Sequence, residues 1–264
     1  MPRHDSTGSI HWSTHAARAG LLGLVAVGIL GCGGHSSDST GPSKTTSTGQ
    51  FNFGSNNPRT ADAFGDSITF GVLEERKVGL GLDTVNNYPN DLQKLLQKLD
   101  PSWRVNNRGV GGEFVQDGAA RIGTVIAVDH PGFILIMEGT NNASHCDDAS
   151  IIVNNLKKMV DAAKANQTIP ILGTIPPNFR SPQCAQDVID EANTMIRGLA
   201  SAEGIVLAEI FDGMNNRSLF GQSPDRDPLH PNDQGYAVMA GIWFNAMKQA
   251  IPGGGTAVAL HRKK

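Results

Sequence analysis

The sequence has 264 residues, of which 39% are hydrophobic and 18% are charged, and its formal net charge is −3. This length and composition suit one globular domain with a substantial core, or at most two small domains. The slight acidic excess and an aromatic content of 6% argue against the basic patches and stacking platforms of nucleic-acid-binding proteins. We therefore expect no nucleic-acid partner.

The start of the chain has the features of an export signal. An apolar run of 13 residues, at 19–31, follows Arg3 and Arg18. The run is too short for a transmembrane helix, which needs about 20 residues, but it fits the hydrophobic region of a secretory signal peptide. Residues 32–50 are rich in Gly, Ser and Thr. Such a segment buries too little apolar surface to fold and is typical of a flexible tether.

The junction Ile29-Leu30-Gly31-Cys32 resembles the lipobox of bacterial lipoproteins. In that family the cysteine is lipidated and becomes the new N-terminus, so the resemblance implies a lipid anchor on Cys32. Leu30 is larger than the residue usually found at its position, and an ordinary signal peptide with a chance cysteine is the alternative. The tether after Cys32 favours the anchor, because an anchored domain needs one. We expect a protein of the bacterial cell envelope that contacts the membrane only through this anchor, or else a secreted protein.

Beyond the tether, short apolar runs alternate with amphipathic segments. The run at 132–139 is continuously apolar, as is typical of a central parallel strand covered on both faces. In the segment 88–100, Leu92, Leu95, Leu96 and Leu99 recur with helical spacing, which predicts that they share the buried face of a helix with Asn90 as its N-cap. The predicted strands are 60–65, 103–109, 132–139, 169–177 and 204–210, and the predicted helices are 88–100, 147–166, 186–204 and 232–251.

Alternating strands and helices with right-handed crossovers predict a parallel sheet between layers of helices. In such sheets, ligands bind where the carboxyl ends of the strands meet the loops. Ser67, in the stretch AFGDSITFG, follows the first predicted strand. The stretches GVGGE, with Gly112, and GTNN, with Asn141, follow the second and third. The pattern therefore predicts three polar clusters at one edge of the sheet, although Gly-Asp-Ser taken alone is equally typical of a turn.

This edge could carry out acyl transfer. A serine hydroxyl needs a base to take its proton, and a carboxylate to orient that base. Asp227 and His230 are three residues apart in DRDPLHPNDQGY, a stretch that is otherwise typical of a Pro-rich turn before a helix. Negative charge on the substrate carbonyl also needs donors. The candidates for this oxyanion hole are the backbone N–H groups of Ser67 and Gly112 and the side-chain amide of Asn141.

Together these stretches resemble the SGNH hydrolase superfamily, also called the GDSL esterase/lipase family. Four family blocks are matched in family order by GDSIT, NRGVGGE, GTNN and DPLH. The resemblance implies a three-layer α/β/α sandwich around a mainly parallel five-stranded sheet, similar to flavodoxin. It implies that Ser67 attacks an ester, that His230 acts as base and then acid, and that Asp227 orients His230. Asn142 departs from the family, which usually has aspartate there, so the network that orients Asn141 is expected to differ.

The resemblance implies hydrolysis of carboxylic esters without a metal or organic cofactor. The run His145-Cys146-Asp147-Asp148 is the alternative candidate for a metal site, but acidic residues also favour a helix N-terminus. We expect an exported esterase acting on a small-molecule, glycan or lipid ester, with short-chain or carbohydrate acetyl esters favoured. The alternatives are a lysophospholipase or lipase, an acyltransferase on the same fold, or a non-catalytic tethered binding module.

If Cys32 carries lipid, Cys146 and Cys184 remain, and two cysteines in an exported domain are candidates for a disulfide. They follow the third and fourth predicted strands, whose loops leave the same edge of the sheet. Two unrelated thiols are the alternative. The predicted organisation is a signal peptide at 1–31, a tether at 32–58, an SGNH hydrolase domain at 59–252 and a disordered tail at 253–264.

Overall fold

The computed structural model describes residues 51–72, 86–180, 183–222 and 227–252. These residues belong to one compact unit, Thr48–Lys264. The predicted signal peptide, the lipidation site at Cys32 and the predicted tail at 253–264 lie outside the described residues. Among the helices that are described, none is both long enough and apolar enough to cross a bilayer.

Strands and helices alternate along the described chain, so every predicted strand and helix is confirmed in kind. In chain order the elements are β1 (Asn57–Gly65), α1 (Ser67–Phe70), α2 (Tyr88–Gln97), β2 (Arg104–Gly109), α3 (Val115–Asp129), β3 (Pro131–Met137), α4 (Thr140–Ser144), α5 (Ala149–Ala165), β4 (Ile169–Gly173), α6 (Gln183–Glu203), β5 (Val206–Ala208), α7 (Ile210–Met214) and α8 (Asp233–Ala250).

The five strands form one sheet in the order β2-β1-β3-β4-β5, and every neighbouring pair is parallel. This is the strand order of the flavodoxin-like fold. Helices α2 and α8 pack on one face of the sheet, and α3, α5 and α6 pack on the other. The predicted α/β fold class, a three-layer sandwich around a five-stranded sheet, is therefore confirmed.

The apolar run of β3 is explained by these two layers. Phe133, Leu135 and Met137 lie in the hydrophobic cluster on one face, while Ile134 and Ile136 lie in the cluster on the other. Side chains alternate between the two faces of a strand, and both faces of β3 are covered by helices. A strand in this position must therefore be apolar throughout, as the sequence indicated.

Two local predictions on the first long helix are wrong. Asn90 is not the N-cap of α2, because Asn87 holds that position and accepts a hydrogen bond from the Asn90 N–H at 3.0 Å. Leu99, predicted on the buried face, lies beyond the helix end and is 57% exposed, whereas Leu92 and Leu96 are fully buried. The helix begins earlier because the Asn87 side chain is placed to cap it.

Helix α3 was not predicted, and packing explains why its sequence is unfavourable for a helix. Gly118 lies inside it, although glycine destabilises helix interiors. A Cβ atom at Gly118 would lie 3.0 Å from Met159 Cε and 3.2 Å from Glu138 Oε1. The glycine thus makes room for a buried carboxyl group at the end of β3.

Cys146 and Cys184 form a disulfide, with their Cα atoms 5.6 Å apart, which confirms the predicted pairing. Cys146 follows α4, as expected of a loop residue, but Cys184 lies in the first turn of α6 rather than in a loop. The bridge therefore ties the segment after β3 directly to the helix that follows β4.

Reduction of this disulfide should lower the melting temperature. The bridged residues are 38 apart in sequence, and the loop-entropy relation gives about 3–4 kcal/mol of stability for such a loop. Thermal unfolding with and without reductant measures the effect. The control is the double variant Cys146→Ser/Cys184→Ser, which should unfold at one temperature in both conditions. Equal melting temperatures for oxidised and reduced wild type would contradict the prediction.

Candidate active site

Ser67 stands in a tight turn from β1 into α1. Gly65 ends the strand, and a Cβ atom there would lie 2.2 Å from Thr69 Oγ1 and 2.4 Å from the Met137 carbonyl oxygen, so only glycine fits. Asp66 then caps the helix, because its Oδ1 accepts a hydrogen bond from the Ile68 N–H at 2.9 Å. The Gly-Asp-Ser turn therefore holds Ser67 at the carboxyl end of the sheet.

The residues predicted as a triad are joined by hydrogen bonds. Ser67 Oγ lies 2.9 Å from His230 Nε2, although 163 positions separate the two residues. On the other side of the ring, His230 Nδ1 lies 3.0 Å from Asp227 Oδ2. All three side chains are largely buried. With its proton on Nδ1, the imidazole can donate to Asp227 and accept from the Ser67 hydroxyl.

Asp227 has further partners that keep it ionised. Its Oδ1 accepts from the Leu229 N–H at 3.0 Å, and its Oδ2 accepts from Arg180 Nη1 at 3.1 Å. Burial raises the pKa of Asp227, but the hydrogen bonds from His230 and the backbone, together with nearby positive charge, outweigh it and leave the pKa below its ordinary value. Sequence reasoning missed Arg180, because no motif marks it.

The residues predicted for the oxyanion hole follow the carboxyl ends of the three neighbouring strands β1, β2 and β3. Gly112 has φ +76°, and a Cβ atom there would meet nothing within 4 Å, so this backbone is open on that side. Asn141 lies in α4 and donates from Nδ2 to the Glu113 carbonyl oxygen at 2.8 Å, which joins the third block to the second. An amide carries two N–H donors, so this bond leaves capacity for one more. Ser67 is the first residue of α1, where a backbone N–H lacks an acceptor within the helix.

Asn142, where the sequence departs from the family pattern, is fully buried and bonded on every side. Its Oδ1 accepts from the Val115 N–H at 2.9 Å, and its Nδ2 donates to Gln116 Oε1 at 3.0 Å and to Asp147 Oδ2 at 2.8 Å. The side chain thus ties α4 to the start of α3. The network beside Asn141 therefore contains an amide at position 142, which donates a hydrogen bond to Asp147, five residues later.

The run 145–148, the alternative candidate for a metal site, has structural partners. His145 Nδ1 lies 2.8 Å from the Asn141 carbonyl oxygen, and Cys146 is in the disulfide. Asp147 accepts from Asn142, and Asp148 caps α5 by accepting from the Ser150 N–H at 2.7 Å. In the part of the chain that is described, no group of three or more His, Cys, Asp and Glu side chains is arranged to hold a metal ion.

The site is unusually rich in buried carboxyl groups. Asp66, beside the nucleophile, is 1% exposed, and burial raises its pKa to about 6 against hydrogen bonds that lower it. Glu113 and Glu138 adjoin the two loops of the oxyanion hole and are likewise buried. Sequence reasoning missed these side chains. Their only signal is that each is acidic and stands next to a motif residue.

Comparison with known proteins agrees with this geometry. The profile of the GDSL-like lipase/acylhydrolase family matches residues 63–238. Esterase TesA of Pseudomonas aeruginosa is 30% identical over 117 residues, which are 44% of this chain and 54% of that protein. The match thus spans about half the length of that relative.

Solved structures share the fold. The lipase/acylhydrolase from Enterococcus faecalis superposes with a TM-score of 0.62 at 23% identity, covering 72% of this chain and 96% of that one. Est24, a carbohydrate acetylesterase from Sinorhizobium meliloti, gives a TM-score of 0.62 at 14% identity, covering 72% and 99%. Because the family profile runs through all four predicted blocks, the chain belongs to the GDSL-like lipase/acylhydrolase family.

Proposed function

We propose that this protein is an exported serine esterase that hydrolyses carboxylic esters through Ser67, His230 and Asp227. The observation that carries the proposal is the continuous chain of hydrogen bonds from Ser67 Oγ through the His230 ring to Asp227, at 2.9 Å and 3.0 Å. Such a chain removes the obstacle to serine catalysis, which is that a hydroxyl is a poor nucleophile until a base takes its proton.

In the first half of the reaction, Ser67 Oγ attacks the ester carbonyl carbon while its proton passes to His230 Nε2. The resulting imidazolium carries a positive charge, which the ionised Asp227 stabilises through Nδ1. When the C–O bond to the leaving group breaks, His230 returns the proton to the departing alcohol. The acyl group is then bound to Ser67 as an ester.

In the second half, water takes the place of the alcohol. The oxygen of a water molecule attacks the acyl-enzyme while His230 accepts a proton from that water. When the carboxylic acid leaves, His230 returns the proton to Ser67 Oγ. Both tetrahedral intermediates carry negative charge on the former carbonyl oxygen. The N–H donors of Ser67, Gly112 and Asn141 are assigned to it, since donors fixed in advance stabilise such charge most.

For the substrate, we favour short-chain or carbohydrate acetyl esters. The exposed apolar side chains beside the site include Phe70, in the helix that Ser67 begins, and Val110, two residues before Gly112; they are 40% and 43% exposed. These two side chains, together with the absence of an extended hydrophobic lid segment from the sequence, favour a short acyl group over a long lipid chain. Lysophospholipid or lipid esters, and an alcohol acceptor in place of water, are the alternatives.

Loss of activity in Ser67→Ala tests the function. On a series of 4-nitrophenyl esters of increasing chain length, wild type should be fastest on acetate or butyrate and should release acetate from an acetylated glycan. Ser67→Ala and His230→Ala should each lose several orders of magnitude in kcat, and the double variant little more, because the residues act as one unit.

The same experiment has outcomes against the proposal. Substantial ester hydrolysis by a well-folded Ser67→Ala protein would exclude this nucleophile. A wild type that is inactive and is not labelled at Ser67 by an organophosphonate would favour a binding module. A rate that peaks on long-chain esters would favour a lipase.

Asn142→Asp, which restores the usual family residue, should destabilise this protein. Asp147 Oδ2 lies 2.8 Å from Asn142 Nδ2, so an aspartate at position 142 would place a buried carboxylate against the half-buried carboxylate of Asp147. We expect a loss of about 1–3 kcal/mol in unfolding free energy and a lower kcat, because Asn141 is the neighbouring residue.

The double variant Asn142→Asp/Asp147→Asn should recover most of that loss, since the new amide donates in the reverse direction. Denaturant unfolding of wild type, both single variants and the double variant gives the coupling energy. If the two changes were additive, with no recovery, the bond between these side chains would not orient the loop.

We also propose that the protein is held in the bacterial cell envelope by a lipid on Cys32. Support comes from the apolar run at 19–31, the Gly31-Cys32 junction and the Gly-, Ser- and Thr-rich stretch that follows. An anchored domain should sediment with membranes and partition into detergent. Secretion after an ordinary signal cleavage is the alternative.

Cys32→Ser should therefore release the protein from the membrane fraction or block its processing. Fractionation of cells that express wild type and variant, followed by mass measurement of the mature N-terminus, tests this. Cys146→Ser/Cys184→Ser is the matched control, because it removes cysteines but should leave the protein on the membrane. Wild type found entirely in the medium would contradict the anchor.

A further inference from the structure

Three buried carboxyl groups lie beneath the proposed site. They belong to Asp66, Glu113 and Glu138, which are 1%, 7% and 1% exposed. The first adjoins the nucleophile, the second adjoins the glycine of the oxyanion hole, and the third begins the loop that leads to Asn141. Burial of a carboxylate costs folding free energy unless hydrogen-bond donors or positive charge compensate it. The charge state of each of the three groups therefore has to be explained.

Glu113 is fully compensated. Arg121, in α3, donates from Nε and Nη2 to its two carboxylate oxygens at 2.5 Å each. The same guanidinium also donates to the Arg108 carbonyl oxygen at 2.8 Å and lies 3.9 Å from the centre of the Phe64 ring. A bidentate pair of this kind keeps a carboxylate ionised. In this pair, the carboxylate of Glu113 also neutralises the positive charge that Arg121 brings to the cluster.

Glu138 has no such compensation. Among the described residues, no donor reaches either of its carboxyl oxygens, and its Oε1 faces the bare backbone of Gly118. Its side chain nevertheless lies within hydrogen-bonding reach of Glu113. Two carboxylates are both acceptors, so a bond between them requires a proton on one. Both carboxyl oxygens of Glu113 already accept hydrogen bonds from Arg121, so that proton belongs to Glu138.

The charges around Glu138 favour the same state. Burial is the largest cause that raises the pKa of Glu138 well above its ordinary value, and the negative charges of Asp66 and Glu113 raise it further, while Arg121 lowers it. Tyr88 lies near the cluster from α2, with its hydroxyl 3.0 Å from Thr69 Oγ1. The charge of His230 lowers the pKa of Asp66, and α5 presents the uncharged Met159 at Gly118.

We propose that Glu138 is a positioning residue that stays protonated in the working enzyme and donates its O–H to the Glu113 carboxylate. This inference rests on the esterase function proposed above. The Glu113 carbonyl oxygen accepts the Asn141 amide at 2.8 Å, and Gly112 is the preceding residue. The carboxyl pair therefore fixes, from below, the two loops that supply donors to the oxyanion hole. A hole held in advance stabilises the transition state more than the bound ester.

Loss of that proton at alkaline pH should break the bond and make the two carboxylates repel. We expect kcat to fall while KM changes less, because the donors act chiefly in the transition state. Glu138→Gln keeps a donor toward Glu113 and cannot ionise. It should keep kcat within about threefold of wild type near pH 7 and should lose the alkaline decline that Glu138 causes.

Glu138→Leu separates positioning from mere filling of the core. It removes both the buried acid and the donor, so it should fold with a melting temperature at or above that of wild type. Its kcat should nevertheless fall by about tenfold or more at every pH, as expected when oxyanion donors lose their support. Glu138→Gln and Glu138→Leu with equally low kcat, both folded, would overturn the positioning role.

Asp62→Asn is the matched control. Asp62 is a further buried acid, in β1, which accepts from Asn106 at 2.8 Å and whose pKa is raised by burial to about 7. Because it lies outside the proposed site, its loss should alter the pH dependence of stability but leave the pH profile of kcat as in wild type. A control that shifted the kcat profile as much as Glu138→Gln would overturn the assignment to Glu138.

A readout independent of activity keeps this inference distinct from the esterase proposal. Carbon NMR of wild type labelled at the Glu carboxyl carbons reports protonation directly, and Glu138 is identified by the signal missing in Glu138→Gln. A protonated signal near pH 7 is expected, and an ionised one would overturn the inference. An inactive wild type with a protonated Glu138 would count against the esterase and for the carboxyl pair.

Discussion

Parallel pairing of β1 with both β2 and β3 is the constraint on which the rest of the site depends. Gly65 at the end of β1 is in register with Gly109 on one side and with Met137 on the other. The three strands therefore end side by side, and the loops that leave them begin within reach of one another. Glycine at position 109 permits this, because a Cβ there would lie 2.2 Å from the Phe70 backbone nitrogen.

His230 is held at this edge by the anchoring of the last helix beside the first. Asn232 caps α8 by accepting from the Gly235 N–H at 2.9 Å, which fixes where the preceding loop ends. Tyr236 donates its hydroxyl to the Val72 carbonyl oxygen at 2.6 Å, just after the helix that carries Ser67. The contact between Ser67 and His230 is thus one point in a packed interface and not an isolated bond.

The acidic cluster shows how the fold tolerates charge under the proposed site, where an oxyanion would form. One carboxyl oxygen of Asp66 caps α1, Glu113 is neutralised by Arg121, and Glu138 carries a proton. Each solution also holds a loop in place: the nucleophile turn, the second block and the end of β3. Buried polar groups commonly cost stability, and proteins keep them where they fix geometry that function requires.

The sequence by itself predicted the five strands, four of the helices and the candidate reacting groups. A continuous apolar run predicted β3 because helices cover both of its faces. The ordered blocks predicted Ser67, Gly112, Asn141, Asp227 and His230 as candidates because each proposed role needs one residue type. Tertiary structure alone decided which side chains are partners, namely Arg180 with Asp227, Asp147 with Asn142, and Glu138 with Glu113. It also decided that Gly118 leaves room for Glu138 beside α3. Such pairs depend on distances and burial between segments far apart in the chain, whereas periodicity and capping record only local geometry.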